Sequence, residues 1–320
     1  MPRPLGEGRV IRRLSGTPLL IAAAAIVPAG FLGWLLWDVS GDSGGDGKHA
    51  TAAAVSSPPA SSPSSAAPRS ASPSPERSSE QPSPTPRSDD GAPHPDGPLK
   101  GKVVVIDPGH NIHNSEHTAE IDRSVDIGTG RKECDTTGTS TDAGYAEATF
   151  SLDVAHRIRG MLEKQGATVR LTHDGDRPYG PCVDERARIG NEAHADAAVS
   201  VHADGAAVGD RGFHVILPAA VKGGAADTGP IVGPSKELGA RVAGNFLRAT
   251  GSAPSNYIGG GTGLDTRSDL GGLNLSRIPK VFIECGNMRD PQDAALLTDE
   301  GWREKAAQGI ADGIADFLRK

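Results

Sequence analysis

A chain of 320 residues with a formal net charge of −7 and 4% aromatic residues carries no basic, aromatic-interleaved stripe, and this speaks against a nucleic-acid partner. The composition is uneven, and only residues 100–320 read as globular. About 220 residues are enough for one domain with a sizeable core.

Residues 1–16 form a basic start with Arg3, Arg9, Arg12 and Arg13, and residues 17–37 contain no charge. That uncharged run makes roughly 31 Å of helix, long enough to cross a bilayer core. Asp38, Asp42 and Asp46 follow it. The excess of arginine before the run keeps the N-terminus in the cytoplasm and sends the remainder across, with Trp34 and Trp37 at the outer interface. A cleaved signal peptide is the rival reading, but the apolar run is long for one. Both readings export the rest of the chain. Residues 38–99 are rich in Ser, Pro and Ala and almost free of large apolar side chains. Such a segment cannot bury enough surface to offset ordering entropy, so a disordered spacer is expected.

In the globular part, the apolar run from Lys102 to Ile106 reads as a buried strand closed by the Asp107-Pro108-Gly109 turn. Ala148, Leu152, Ala155, Ile158 and Leu162 recur at helical spacing, predicting a helix from Glu147 to Gln165 stopped by Gly166. A strand follows at Thr168–Thr172, a helix at Asp184–His194, and strands at Ala197–Val201, ending at His202, and at Phe213–Leu217. A helix over Ser235–Thr250, a strand over Lys280–Cys285 and a helix over Trp302–Leu318 complete the series. Strands alternating with helices predict an α/β class: a single domain with a mostly parallel twisted sheet flanked by helices.

Of the three cysteines, Cys134 and Cys182 lie in Gly/Pro/Thr-rich loop sequence and Cys285 ends an apolar run. In an exported domain the first two are the natural disulfide, and Cys285 is a buried thiol.

In parallel sheets, sites gather at the carboxyl ends of strands. His110, His202 and Glu284 each fall at or just past such an end. Two histidines and one carboxylate form an established zinc set that leaves a fourth position for water. Glu116, Glu120, Glu133 and Glu147 are candidates for the carboxylate. Glu147 is preferred because it opens the long helix, where packing fixes its position. Glu284 then stands as the acid/base that takes a proton from water and passes it to a leaving amine. Asn111, Asp204 and Asn287 are candidates for polar groups around the open position. His113, His117, His156, His173, His194 and His214 are read as surface or hydrogen-bonded residues.

Ile106-Asp107-Pro108-Gly109-His110, Ser200-Val201-His202-Ala203-Asp204 and Ile283-Glu284-Cys285-Gly286-Asn287-Met288 occur in an order that resembles the zinc N-acetylmuramoyl-L-alanine amidases of the amidase-3 type. The similarity runs from about Lys102 to the C-terminus and is greatest to compact actinobacterial members. It implies one Zn2+ on His110, Glu147 and His202, catalysis by Glu284, and the Cys134–Cys182 disulfide. It also implies peptidoglycan muropeptides as substrate, cut between N-acetylmuramic acid and L-alanine. A monomer is the default for a hydrolase anchored in the membrane through residues 17–37. Asn111-Ile112 stand where many members have Gly-Gly, and Asp204 where many have Asn. A non-catalytic wall-binding or activator protein on this fold, and a zinc amidase for another exported peptide, are the alternatives.

Overall fold

The computed structural model describes residues 96–320, which lie in the compact unit Pro82–Lys320. The expected span at 17–37 and nearly all of the spacer lie outside the described residues. Among the described residues no helix is long and apolar enough to cross a membrane.

Six strands build the main sheet: β1 (Val103–Pro108), β2 (Thr168–Leu171), β3 (Ala197–Asp204), β4 (His214–Pro218), β5 (Leu264–Arg267) and β6 (Lys280–Asn287). Their spatial order is β2-β1-β3-β6-β4-β5. β2, β1, β3 and β6 run parallel. β4 joins β6 antiparallel, and β5 pairs with β4 in parallel. The mostly parallel sheet is therefore present, with a reversed two-strand margin. β5 escaped the sequence reading because Leu264-Asp265-Thr266-Arg267 offers no apolar run.

Side chains alternate across a strand, and here the alternation divides two unlike faces. Val104, Ile106, Val199, Val201, Val281 and Ile283 point to one side, where three helices bury them. These are α1 (Glu147–Lys164), α3 (Gly229–Thr250) and α5 (Glu300–Leu318). α1 contributes Phe150, Val154, Ile158 and Leu162; α3 contributes Leu238, Val242 and Phe246; α5 contributes Ile310 and Ile314. The folded unit also takes in the end of the expected spacer. Leu99 is fully buried in this core, and its N–H donates to the Gln165 carbonyl.

The opposite face carries Asp107, Ser200, His202, Lys280, Phe282, Glu284 and His214. The strand register sets them side by side: Asp107 beside Ser200, Glu284 beside His202, and Glu284 beside His214. α2 (Val183–Glu192), the turn of helix Gly271–Asn274 and a small hairpin, Ser124–Asp126 with Arg131–Glu133, pack around that face. The hairpin leads into Cys134, which is bonded to Cys182 at the start of α2. Cys285 is buried and unpaired. The eight-residue helix α4 (Pro291–Thr298) precedes α5 and is capped by Asp290, whose carboxylate accepts from the Gln292 and Asp293 N–H groups.

α3 starts at Gly229, earlier than Ser235. Pro230 falls in its first turn, where a missing N–H is harmless, and Pro234 follows one turn later. β3 and β6 also outrun the expectation. Each continues past the expected end, because pairing resumes at Asn287 with Asp204 after an irregularity in register.

Candidate metal centre

His110 follows β1 directly and sits in the left-handed region at φ 59°, which a residue with a side chain adopts only where its surroundings hold it there. Gly109 gives the reason for the glycine before it. A Cβ at that position would lie 2.4 Å from the His202 ring. The space a side chain would fill belongs to the second imidazole. The loop before α1 makes a similar close approach: a Cβ on Gly138 would come within 2.8 Å of His110 Cδ2 and 2.9 Å of Glu147 Oε2.

His202 and Glu284 lie within β3 and β6, not past their ends. Their place is on a face of the sheet that no long helix covers, so strand alternation aims them together. Glu147 reaches them from the first residue of α1. One atom each from His110, Glu147 and His202 lies within 4.8 Å of the others. His110 Nε2 is 3.2 Å from Glu147 Oε1, and His202 Nδ1 is 2.9 Å from the same oxygen. The rings stand nearly perpendicular, with centroids 5.1 Å apart. Phe282 stacks on His202 at 5.2 Å. The Thr139 N–H donates to Glu147 Oε2 at 3.0 Å, and the Ala203 N–H reaches Oε1 at 3.3 Å.

Each imidazole turns its other nitrogen to the protein. His110 Nδ1 is 3.1 Å from the Thr136 carbonyl oxygen and 3.4 Å from Asp135. His202 Nε2 is 3.2 Å from Ser200 Oγ. The inward set is thus two imidazole nitrogens and a buried carboxylate oxygen around a common point, and among the described residues no lysine or arginine pairs with these three atoms. That is the donor set of a divalent metal with a preference for nitrogen and oxygen, and a site holding zinc through three protein ligands has this make-up. The electrostatics agree. Burial would lower the basicity of His110, but the Glu147 and Asp135 carboxylates outweigh it and hold its pKa well above the ordinary value. Burial would raise Glu147, and the two imidazoles outweigh that in turn, holding it far below the usual carboxylate range. The group of three calls for positive charge at its centre.

Glu284 is in a different state. Burial, then the negative charges of Glu147 and Asp204, push its pKa well above the ordinary 4.5. Its Oε2 is buried and has no hydrogen-bond partner among the described residues. A carboxylate with a free lone pair and raised proton affinity beside a metal position is what proton transfer needs. A cavity of about 200 Å³ opens next to the two imidazoles, walled by Val183, Leu270 and Phe282.

The three polar residues expected around the open position divide. Asp204 accepts a hydrogen bond from the Tyr257 hydroxyl at 2.7 Å and adds to the field at Glu284. Asn111 is directed elsewhere: its amide donates to the carbonyls of Gly180 and Arg177 and its oxygen accepts from the His113 N–H. Asn287 is fully buried and donates to the carbonyls of Ala206, Ala207 and Asp210. Both hold loops, because a buried amide between carbonyls is satisfied there and nowhere else. Of the histidines set aside, His214 lies closest to the site, buried opposite Glu284 with its Nδ1 unpartnered among the described residues. Asp107, Asp135, Ser200, Arg186 and Lys280 surround the centre and went unnoticed in the sequence. The available signal was a charged residue, Asp107, at the end of an apolar strand.

Residues 104–316 match the family described as N-acetylmuramoyl-L-alanine amidase, Amidase_3. The N-acetylmuramoyl-L-alanine amidase Rv3717 of Mycobacterium tuberculosis is 42% identical over 221 residues, which span 69% of this chain and 88% of that protein. The probable cell wall amidase LytH of Staphylococcus epidermidis is 26% identical over 229 residues, 69% of this chain and 60% of that protein. Among solved structures, the N-acetylmuramyl-L-alanine amidase Ami1 of Mycobacterium smegmatis superposes with a TM-score of 0.63 at 41% identity, covering 69% of this chain and 98% of that one.

Proposed function

The chain belongs to the amidase-3 family of N-acetylmuramoyl-L-alanine amidases, and from that membership we infer a peptidoglycan amidase that cleaves the amide between N-acetylmuramic acid and the L-alanine of the stem peptide. The observation that carries the mechanism is the convergence of His110 Nε2, His202 Nδ1 and Glu147 Oε1, with Glu284 beside His202 in the sheet and its Oε2 unpartnered among the described residues.

His110, Glu147 and His202 would hold one zinc ion. When bound, such an ion polarises the amide carbonyl and lowers the pKa of water towards about 7. The remaining work falls to the chain. Glu284 accepts a proton from the attacking water as the C–O bond forms. It returns that proton to the alanine nitrogen as the C–N bond breaks, leaving a lactyl carboxylic acid and an amine, which pass to carboxylate and ammonium when the acid's proton moves to the amine. Its raised proton affinity suits both halves of this transfer. Phe282 and Ser200 keep the His202 ring in place, and the cavity beside it offers room for a substrate group.

The Cys134–Cys182 bond supports an exported domain, since such bonds persist in oxidising compartments. The uncharged run 17–37 would anchor the protein in the membrane, and the Ser/Pro-rich spacer would carry residues 100–320 away from it towards the wall.

Mass spectrometry of muropeptides digested by the purified protein tests this reading. Incubation with zinc should release intact stem peptides with a free L-alanine amino group, and a chelator should abolish the release. Products cut within the stem peptide, or release unaffected by chelator, would reject it.

A further inference from the structure

The two imidazoles have to present opposite nitrogens, Nε2 in His110 and Nδ1 in His202, and the structure holds a separate device for each. We propose that Ser200, aimed by the buried Asp107, is the positioning residue that makes His202 offer Nδ1 to the metal. This rests on the metal-centre reading above.

Ser200 is 1% exposed, and its hydroxyl oxygen meets three groups. Asp107 Oδ2 lies at 2.9 Å, the Asp107 carbonyl oxygen at 3.2 Å and His202 Nε2 at 3.2 Å. The hydroxyl has one proton and two lone pairs. Both oxygens of Asp107 in reach are acceptors, and the carboxylate is ionised: burial opposes the charge, but Lys280 and Arg186 outweigh it and hold the pKa far below the usual range. The serine proton therefore goes to Asp107, and a lone pair is left facing His202. Nε2 must carry the N–H that fills it, so Nδ1 is bare on the side of Glu147.

His110 is fixed in the opposite sense. The Thr136 carbonyl beside its Nδ1 can only accept, so Nδ1 carries the proton and Nε2 is bare. Thr136 is held in turn by Asp135, whose Oδ1 accepts the Thr136 N–H at 2.8 Å. Asp135 Oδ2 accepts from Arg186 Nη2 at 2.9 Å, and Arg186 Nη1 donates to Asp107 Oδ1 at 2.8 Å. The same aspartate thus stands behind both imidazoles. Thr172 and Arg186 donate to its Oδ1, and Ser200 and Lys280 to its Oδ2. With both oxygens taken twice, it has no freedom to turn. A buried charge cluster of this kind is poor evidence for stability and better explained by what it orients. Partners that fix a ligand's tautomer typically govern metal affinity by about 10- to 100-fold.

The test compares the full protein with Ser200→Ala and Ser200→Thr, by zinc competition against a chromophoric chelator, the visible spectrum of the cobalt-substituted protein, and melting of the metal-free form. Ser200→Ala should weaken zinc binding about 10- to 100-fold and shift the cobalt bands while the metal-free melting temperature stays within a few degrees. Ser200→Thr, which keeps the hydroxyl, should bind within a few-fold of the original. Equal zinc affinity and an unchanged cobalt spectrum in Ser200→Ala would overturn this inference alone. Equal weakening in both variants would overturn it too, by assigning Ser200 a packing role. An unsubstituted protein that takes up no zinc would remove the metal-centre reading with it.

Discussion

Glu284 and the three ligand residues differ in what they lose on substitution. Glu284→Gln keeps the size of the side chain and removes its ability to take a proton. Because Glu284 stands outside the group of ligand atoms that converge, zinc affinity should stay within a few-fold while hydrolysis falls by at least about 10²- to 10⁴-fold. The pH profile adds a second reading. A base works when deprotonated, so log kcat/KM should rise with pH through the raised pKa of Glu284, above its ordinary 4.5. That rising limb should vanish in the variant, measured as amide cleavage across pH. Retention of both rate and limb would remove Glu284 from the chemistry. At this scale the four residues brought together were legible because each adjoins an apolar strand or a helix start. Asn111 and Asn287 direct their amides to loop carbonyls, because an Asn near a ligand in sequence can still face a carbonyl-lined loop. Asp107 and Ser200 stayed hidden for a related reason: a polar residue inside a strand has no meaning until the register shows what lies beside it, and Arg186 gains its meaning only once α2 is packed over that face.

Helix packing explains two glycines of α5, Gly309 and Gly313. α5 lies against α3 so closely that a Cβ on Gly313 would fall 2.5 Å from Val242 Cα, and one on Gly309 2.7 Å from Phe246 Cα. Both neighbours are backbone atoms and have no rotamer through which to escape. Gly313→Ala should therefore destabilise the fold by about 1–3 kcal/mol through overpacking, despite alanine's better helix propensity. Gly160 in α1 and Gly244 in α3 supply the contrast, since a Cβ on either meets nothing within 4 Å. Alanine there should stabilise by roughly 0.5–1 kcal/mol. Denaturant melts of the variants would decide. A neutral Gly313→Ala would mean that the two helices can separate without loss. Helical periodicity had revealed α1 and α5, and short apolar runs had revealed β1, β3 and β6. β5 and the hairpin were missed, because pairing with neighbours holds them and their own residues carry no hydrophobic pattern. The strands of the site run on past His202 and Glu284 for the same reason, since inter-strand pairing overrides the polar composition that signals an end.

On the scale of the whole domain, one sheet face is used for stability and the other for chemistry, and the second needs bracing that helices do not supply. Part of that bracing is covalent. Cys134 and Cys182 are 48 residues apart in sequence, and the loop they close contains Asp135 and Thr136, which hold His110, together with all of α1 and β2. The pairing of these cysteines was readable from composition. That the bond clamps the metal loop was not, because it depends on Cys134 being followed at once by the residues that meet His110. Closing a loop of this length restricts the unfolded chain by about 4 kcal/mol on the entropy model. For a domain of this size that corresponds to a change in Tm on the order of 10 °C. Cys134→Ser with Cys182→Ser should show such a fall, and zinc affinity should fall with it as the Asp135–Thr136 segment loosens. Thermal melts with and without zinc, set beside chelator competition at a temperature where both proteins are folded, separate the two effects. An unchanged Tm together with unchanged zinc affinity would show that the hydrogen bonds from Cys134 N–H to Arg123 and from Val183 N–H to Cys134, and the Arg186–Asp135 pair, hold the loop without the covalent link.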